Sequence, residues 1–150
     1  MFQKWSKVTI GSENYSDVID FPINEVSRKN SIASYNFPQK TLFFSHINGV
    51  VEEKMTKEFK LVRLTAVNTK GQVFSVVCDD QTEIAISRNT YVMYAKIVEL
   101  RSSSSILVDV EGLLCKIVSI EDHFEKESEL FDVKSNKGNS KFVNGLMFKA

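Results

Sequence analysis

Side chains able to act as nucleophiles, bases or metal ligands are few in this sequence and scattered. The two histidines are His46, at the end of an apolar run, and His123, in a charged stretch. Neither has His, Cys, Asp or Glu neighbours at metal-ligand spacing, so the sequence predicts no metal, and each imidazole is expected at the surface or in a hydrogen bond. The two cysteines, Cys78 and Cys115, lie inside apolar runs. That setting suits buried reduced thiols better than a disulfide. No cofactor-binding motif occurs, and no cofactor is expected. Asn-Gly occurs twice, at Asn48-Gly49 and Asn144-Gly145. At Asn48-Gly49 it favours a two-residue hairpin turn because both central residues take positive φ.

The elements that must position these residues are short and β-like. Trp5 to Ile10 alternates apolar and polar residues, and Gly11 to Asn14 turns the chain. Tyr15 to Ile23 follows, with Pro22 marking an edge or a bulge. Ser31 to Phe37 places Ala33, Tyr35 and Phe37 on one face. Leu42 to Ile47 and Val50 to Met55 flank Asn48-Gly49 and predict a hairpin there. A second hairpin is predicted from Phe59 to Cys78 around Asn68 to Gly71. Strand-like runs continue at Glu83–Ser87, Tyr91–Val98, Ile106–Val110, Leu113–Ile120, Leu130–Val133 and Phe142–Phe148. Many short strands without a convincing helix predict an all-β fold, closed as a sandwich or barrel. Arg101 to Ser105 reads as an exposed loop. Glu121 to Glu129 reads as a charged connector with room for one helical turn.

Composition narrows the function classes. The chain has 150 residues, 43% hydrophobic and 25% charged, which fits one folded domain and not global disorder. Lys+Arg and Asp+Glu both number 19, so the formal net charge is +0. The basic field of a nucleic-acid binder or a polybasic membrane surface is missing, so no nucleic acid and no membrane is expected as a partner. No run approaches the roughly 18 apolar residues of a membrane span. The opening MFQKWSKVTIG lacks the core of a signal peptide, which predicts a protein made and kept in the cytosol.

From about Phe37 to Ala150 the order of features resembles the Hint fold of inteins and hedgehog autoprocessing domains. TLFFSHINGVV (Thr41 to Val51) is similar to the strand and Gly turn that open such a domain. LVRLTAVNTKGQVFSVVCDD (Leu61 to Asp80) is similar to the hairpin leading into its Thr-x-x-His segment. YAKIVEL and ILVDV resemble the region of its Gly-Asp turn, without the Gly-Asp. The end, KIVSIE and then LFDVKSNKGNSKFVNGLMFKA, resembles an intein terminus, where an aromatic–Asp strand precedes an F-x-NG-apolar strand. The resemblance implies an all-β, pseudo-two-fold Hint-like domain over 39–150, with 1–38 as an N-terminal β segment packed on or extending it. It also implies that Val143 and Asn144 turn into a last strand with Leu146 and Phe148 on one face and Met147 on the other.

The same resemblance implies which residues would carry chemistry, and these are replaced. The first acyl shift of an intein needs a Cys or Ser, and by this alignment Asn36 stands there, with Ser34 two residues away. The histidine that protonates the departing amide maps to Gln81, which cannot shuttle a proton near neutral pH. The final His-Asn pair maps to Lys149 and Ala150, with no downstream extein. An Asn-to-Ala exchange at Ala150 alone also matches a familiar way of arresting an intein.

The N-terminal run WSKVTIG to SIASYNF loosely resembles strand pairs that open tail-hub and baseplate proteins of tailed phages. Together these features predict a non-enzymatic structural protein of a virus particle, a neck, tail or baseplate component. It would be assembled in the host cytoplasm in multiple copies with other virion structural proteins. Trp5 and Phe148 are the side chains expected to be buried by partners. Two further readings stay open: an inactivated intein or self-processing element with residues 1–35 as extein, and a cellular β-domain adaptor.

Overall fold

The computed structural model describes residues 1–12, 17–36, 39–54, 60–88, 91–100, 105–124, 129–135 and 138–150. Its strands are β1 Phe2–Gln3, β2 Lys7–Gly11, β3 Val18–Pro22, β4 Ser31–Asn36, β5 Thr41–Lys54, β6 Leu61–Asn68 and β7 Val73–Asp79. After these come β8 Glu83–Arg88, β9 Tyr91–Lys96, β10 Ile106–Val108, β11 Leu114–Asp122, β12 Glu129–Ser135, β13 Ser140–Val143 and β14 Leu146–Lys149. One 3-10 turn, Ile97–Leu100, follows β9. The fold is all-β, as the spacing of short β-branched runs predicts.

The strands join in one antiparallel sheet with the order β10-β11-β6-β7-β1-β12-β5-β4-β2-β13-β14-β8-β9, and β3 pairs β2. Leu107 of β10 also pairs Ile86 of β8, so the sheet closes on itself. Closure removes most of the unpaired backbone that an open sheet would leave to solvent. Two strands stay outside the ring: β9 pairs β8, and β3, ending at Pro22, pairs β2. Proline at that position costs no ladder bond, which is why an edge accepts it.

Apolar side chains fill two clusters on opposite faces of the closed sheet. The larger contains Phe2, Val8, Ile10, Leu64, Ile84, Leu107, Leu146 and Phe148. The smaller contains Ala33, Ala85, Val108, Phe142 and Met147. The final strand shows the cause: with side chains alternating at period two, Leu146 and Phe148 enter one cluster and Met147 the other.

Asn144-Gly145 forms the turn that makes this alternation possible. Their φ angles are 49° and 86°, the positive pair of a tight hairpin turn. Asn144 is held on three sides. Its Oδ1 accepts from the Lys7 amide at 2.7 Å, its Nδ2 donates to the Ser75 carbonyl at 2.9 Å, and its own amide donates to the Lys7 carbonyl at 2.8 Å. The hairpin predicted around Asn68 to Gly71 is present too, with Gly71 at φ 82° and Asn68 Oδ1 accepting from the Gln72 amide at 2.9 Å.

Asn48-Gly49 is not a hairpin turn. It lies inside the long strand β5, and Gly49 is not among the positive-φ residues. The reason is that the two halves of β5 have different partners. Thr41 to His46 pairs β4, whereas Ile47 to Lys54 pairs β12. The register shifts between Lys134 and Ser135, which oppose Gly49 and Ile47, so Asn48 is the extra residue of a bulge. Two long-range ladders outweigh the local preference of the dipeptide for a turn.

Residues 1–36 are woven into the same sheet as the rest. β1 lies between β7 and β12, with Phe2 opposite Cys78 and Phe131, and β2 pairs β13 through Val8 and Val143. The boundary near Pro38 therefore does not separate two sheets; Pro38 itself lies outside the described residues. The connector expected from Glu121 is shorter, because Glu121 and Asp122 still pair Arg63 and Val62 in β11. Residues 125–128, where a helical turn had room, and 101–104 of the serine loop lie outside the described residues, as do 13–16 of the first turn.

Candidate functional site

Two chain ends and two hairpins meet at one cavity of about 560 Å³, lined among others by Met1, Gln81, Lys149 and Ala150. Three of the four positions that the sequence singles out as replaced are thus brought together. The fourth, Asn36, is elsewhere. It ends β4 opposite Thr41, and its side-chain oxygen accepts from the Gln39 amide at 3.3 Å. Met1, and not Asn36, lines the cavity beside the other three. The sequence carries little signal for this, since β1 is only two residues long and too short to show periodicity.

Each wall of the cavity is positioned by its strand. β1 seats Met1 beside the turn after β7, where its carbonyl accepts from the Asp79 amide at 3.1 Å. The Met1 ammonium lies 2.8 Å from Asp79 Oδ2 and donates to Thr82 Oγ1 at 3.1 Å. Asp79 Oδ1 accepts from the Gln81 amide at 2.9 Å, so one buried carboxylate organises both the first residue and the loop carrying Gln81. The Gln81 side chain donates to Asp80 Oδ1 at 3.2 Å. Lys149 Nζ is 3.2 Å from Glu83 Oε2.

Asp132 and Lys141 complete the cavity and were not expected from sequence. The Lys141 ammonium pairs with Asp132 Oδ1, and its side chain is 4% exposed against 24% for the aspartate. It also stands 5.5 Å from the centre of the Phe2 ring. A buried lysine requires such compensation, since an unpaired ammonium would carry a large desolvation cost. The signal available in sequence was the aromatic–Asp–apolar strand Phe131-Asp132-Val133, which marks the strand but not the partner of its carboxylate.

Chemically, the four converging positions hold a thioether, a primary amide, an ammonium and a methyl group. The nearest thiol, Cys78, belongs to the core and faces β1. Burial pushes it up to about 12, partly opposed by the positive Met1 amine. Cys115 is likewise pushed up to about 12 by burial, with the Asp109 carboxylate adding to the shift. Neither thiol forms thiolate near neutral pH, and the thiolate is the nucleophile. Among the described residues no group of three His, Cys, Asp or Glu is placed to hold a metal ion.

Of the two side chains expected to meet partners, Trp5 is 73% exposed, with Lys4 Nζ 4.9 Å from its ring centre. Phe148 is fully buried. It faces inward because β14 is an inner strand between β13 and β8, and so it offers no surface to a partner. His46 is exposed and His123 half-buried.

No family model matches the sequence, and no curated protein matches it. Solved structures do match the fold. An intein from a hyperthermophile superposes with a TM-score of 0.80 at 13% identity, over 99% of this chain and 98% of that one. A bacterial intein-like domain from Clostridium thermocellum gives 0.73 at 10% identity, over 100% and 99%. A transcription factor IIB mini-intein gives 0.75 at 9% identity, over 100% of both chains. The likeness runs from the first residues and not from about Phe37, so the N-terminal strands are part of it. The chain has the intein-like Hint fold along its whole length.

Proposed function

We propose that this chain is a Hint-fold domain that does not splice and serves as a non-enzymatic assembly module. The observation that carries the reading is the set Met1, Gln81, Lys149 and Ala150 around one cavity. Acyl transfer there needs an attacking thiol or hydroxyl, a proton donor for the departing amide and a side chain able to cyclise. None of the four side chains is a thiol, a hydroxyl, an imidazole or an asparagine amide. Polar order is kept where reactivity is not: Asp79 with the Met1 amine and Asp132 with Lys141 hold the walls in place.

The reading places the domain in a virus particle, among other virion structural proteins in multiple copies, assembled in the host cytoplasm. The likeness of the N-terminal run to strand pairs of phage tail proteins supports it, and zero net charge suits a subunit packed against copies of itself. Contacts would be made by exposed Trp5 and by β9, whose outward side chains Tyr91 and Met93 are 58% and 40% exposed. An added strand on β9 would gain main-chain hydrogen bonds. Residues 1–35 do not suit an extein, because β1 between β7 and β12 is integral to the sheet.

Intact-mass measurement after incubation with dithiothreitol or hydroxylamine tests the absence of self-cleavage, since either reagent traps an acyl intermediate. The mass should stay that of the whole chain; a cleaved product would overturn the proposal. Mass spectrometry of purified particles tests the virion placement, which fails if the protein is found only in the soluble host fraction.

A further inference from the structure

An Asn-Gly pair can modify itself. The glycine nitrogen, on losing its proton to base, attacks the asparagine side-chain carbonyl carbon and ammonia leaves. Water then opens the resulting five-membered imide to aspartate or isoaspartate. The step is fastest where the following residue has no side chain and where the amide is free to swing onto the backbone.

The two Asn-Gly pairs of this chain differ in that freedom. Asn144 is fixed in a hairpin turn, its side-chain oxygen held by the Lys7 amide and its nitrogen by the Ser75 carbonyl. Its carbonyl carbon is thereby kept from rotating onto the Gly145 nitrogen. Asn48 is exposed, and none of the described residues makes a hydrogen bond to its side chain. The register shift leaves it out of the ladder with β12, and the pairing with β4 has ended at His46. Apart from its chain neighbours, nothing lies within 4 Å of where a Gly49 side chain would begin, so no other segment packs on the pair there.

We propose that Asn48-Gly49 is a site of spontaneous deamidation in the folded protein, and that the fold protects Asn144-Gly145 from the same reaction. Asn48 lines the cavity with Lys134 and Lys149 and with Asp79, Glu83 and Asp132, so the change adds a carboxylate to a wall of mixed charge. It also adds a negative charge to a chain whose formal net charge is +0. Isoaspartate would lengthen the backbone at a bulge, where an extra residue is already accommodated.

The test is peptide mapping by mass spectrometry after the folded protein stands in warm, mildly alkaline buffer, with a parallel sample in urea. In the folded sample the amide-to-acid mass shift should accumulate at position 48 and stay absent at 144. In urea both positions should convert. Equal conversion of 48 and 144 in the folded sample would overturn the proposal. So would a folded sample unchanged at 48 while the urea sample converts there. Gly49→Ala fits the open space and should fold with an unchanged melt while slowing conversion at Asn48 severalfold; a rate equal to that of the unsubstituted chain would rule out the imide route.

Discussion

Phe2 and Phe148, from the first and last strands, meet edge to face with ring centres 4.9 Å apart and planes at 83°. Both are fully buried, and the contact ties the start of the chain to its end through the centre of the larger core cluster. Edge-to-face pairs add to the burial of the rings themselves.

Replacing either ring by alanine should cost about 3–5 kcal/mol, the range for a buried phenylalanine. The double substitution should cost less than the sum, because the second ring has already lost its partner. Urea melts of the four proteins measure this; strict additivity would mean that the two rings stabilise the fold independently.

The two Asn-Gly glycines should respond in opposite ways. Gly49→Ala meets open space and an ordinary φ, so stability should change by no more than about 0.5 kcal/mol. Gly145→Ala meets a φ of 86° and runs into the Phe74 ring. It should cost at least the roughly 1–3 kcal/mol of a strained backbone position, with the clash added. A larger loss at Gly49 than at Gly145 in thermal melts would restore the hairpin at Asn48-Gly49.

Both thiols should resist iodoacetamide in the folded protein and react in urea, since neither is exposed. Burial raises the Cys78 thiol from 9.0 to about 12. The folded state thus holds this proton more tightly than the unfolded state does. Its contribution is complete below pH 9.0 and is lost as pH climbs toward about 12. Cys78→Ala should flatten the alkaline limb of the stability curve over that window, as read from melts at stepped pH.

Lys149 is half exposed and its pairing with Glu83 is a surface contact, so Lys149→Ala should change stability by no more than about 1 kcal/mol. Truncation after Ser140 removes Phe142, Val143, Leu146, Met147 and Phe148, all 2% exposed or less. It also removes the strands that pair Val8 of β2 and Ile84 of β8. That shortened chain should lose its cooperative melt. A melt like that of the whole chain would show that the last hairpin is dispensable.

What the sequence made legible followed from local pattern. Alternation around Leu146, Met147 and Phe148 gave the two faces of the last strand, while the turn expected at Val143 and Asn144 falls one residue later, at Asn144-Gly145, because Val143 still pairs Leu146. The failure at Asn48-Gly49 has the same root. Locally it is as good a turn signal as the other pair, and only the distant partners β4 and β12 hold it straight. The resemblance over the C-terminal three quarters singled out Gln81, Lys149 and Ala150, and these three line one cavity. It did not reach Met1, which lines that cavity where Asn36 does not, because a two-residue strand has no period to read. The Lys141–Asp132 pair joins neighbouring segments through side chains, which no backbone pattern encodes.

The pairing of β1 with β12 and of β2 with β13 has a consequence for how the chain is made. Phe2 waits for Phe131 and Val8 for Val143, so the first strands cannot complete their ladders until residue 143 has left the ribosome. The β2–β3, β4–β5 and β6–β7 hairpins can form early, but ring closure comes last. Folding is therefore governed by contacts distant in sequence, which slows it. During vectorial synthesis the emerging N-terminal segment keeps its apolar residues uncovered, and that interval is when the nascent chain most needs a chaperone.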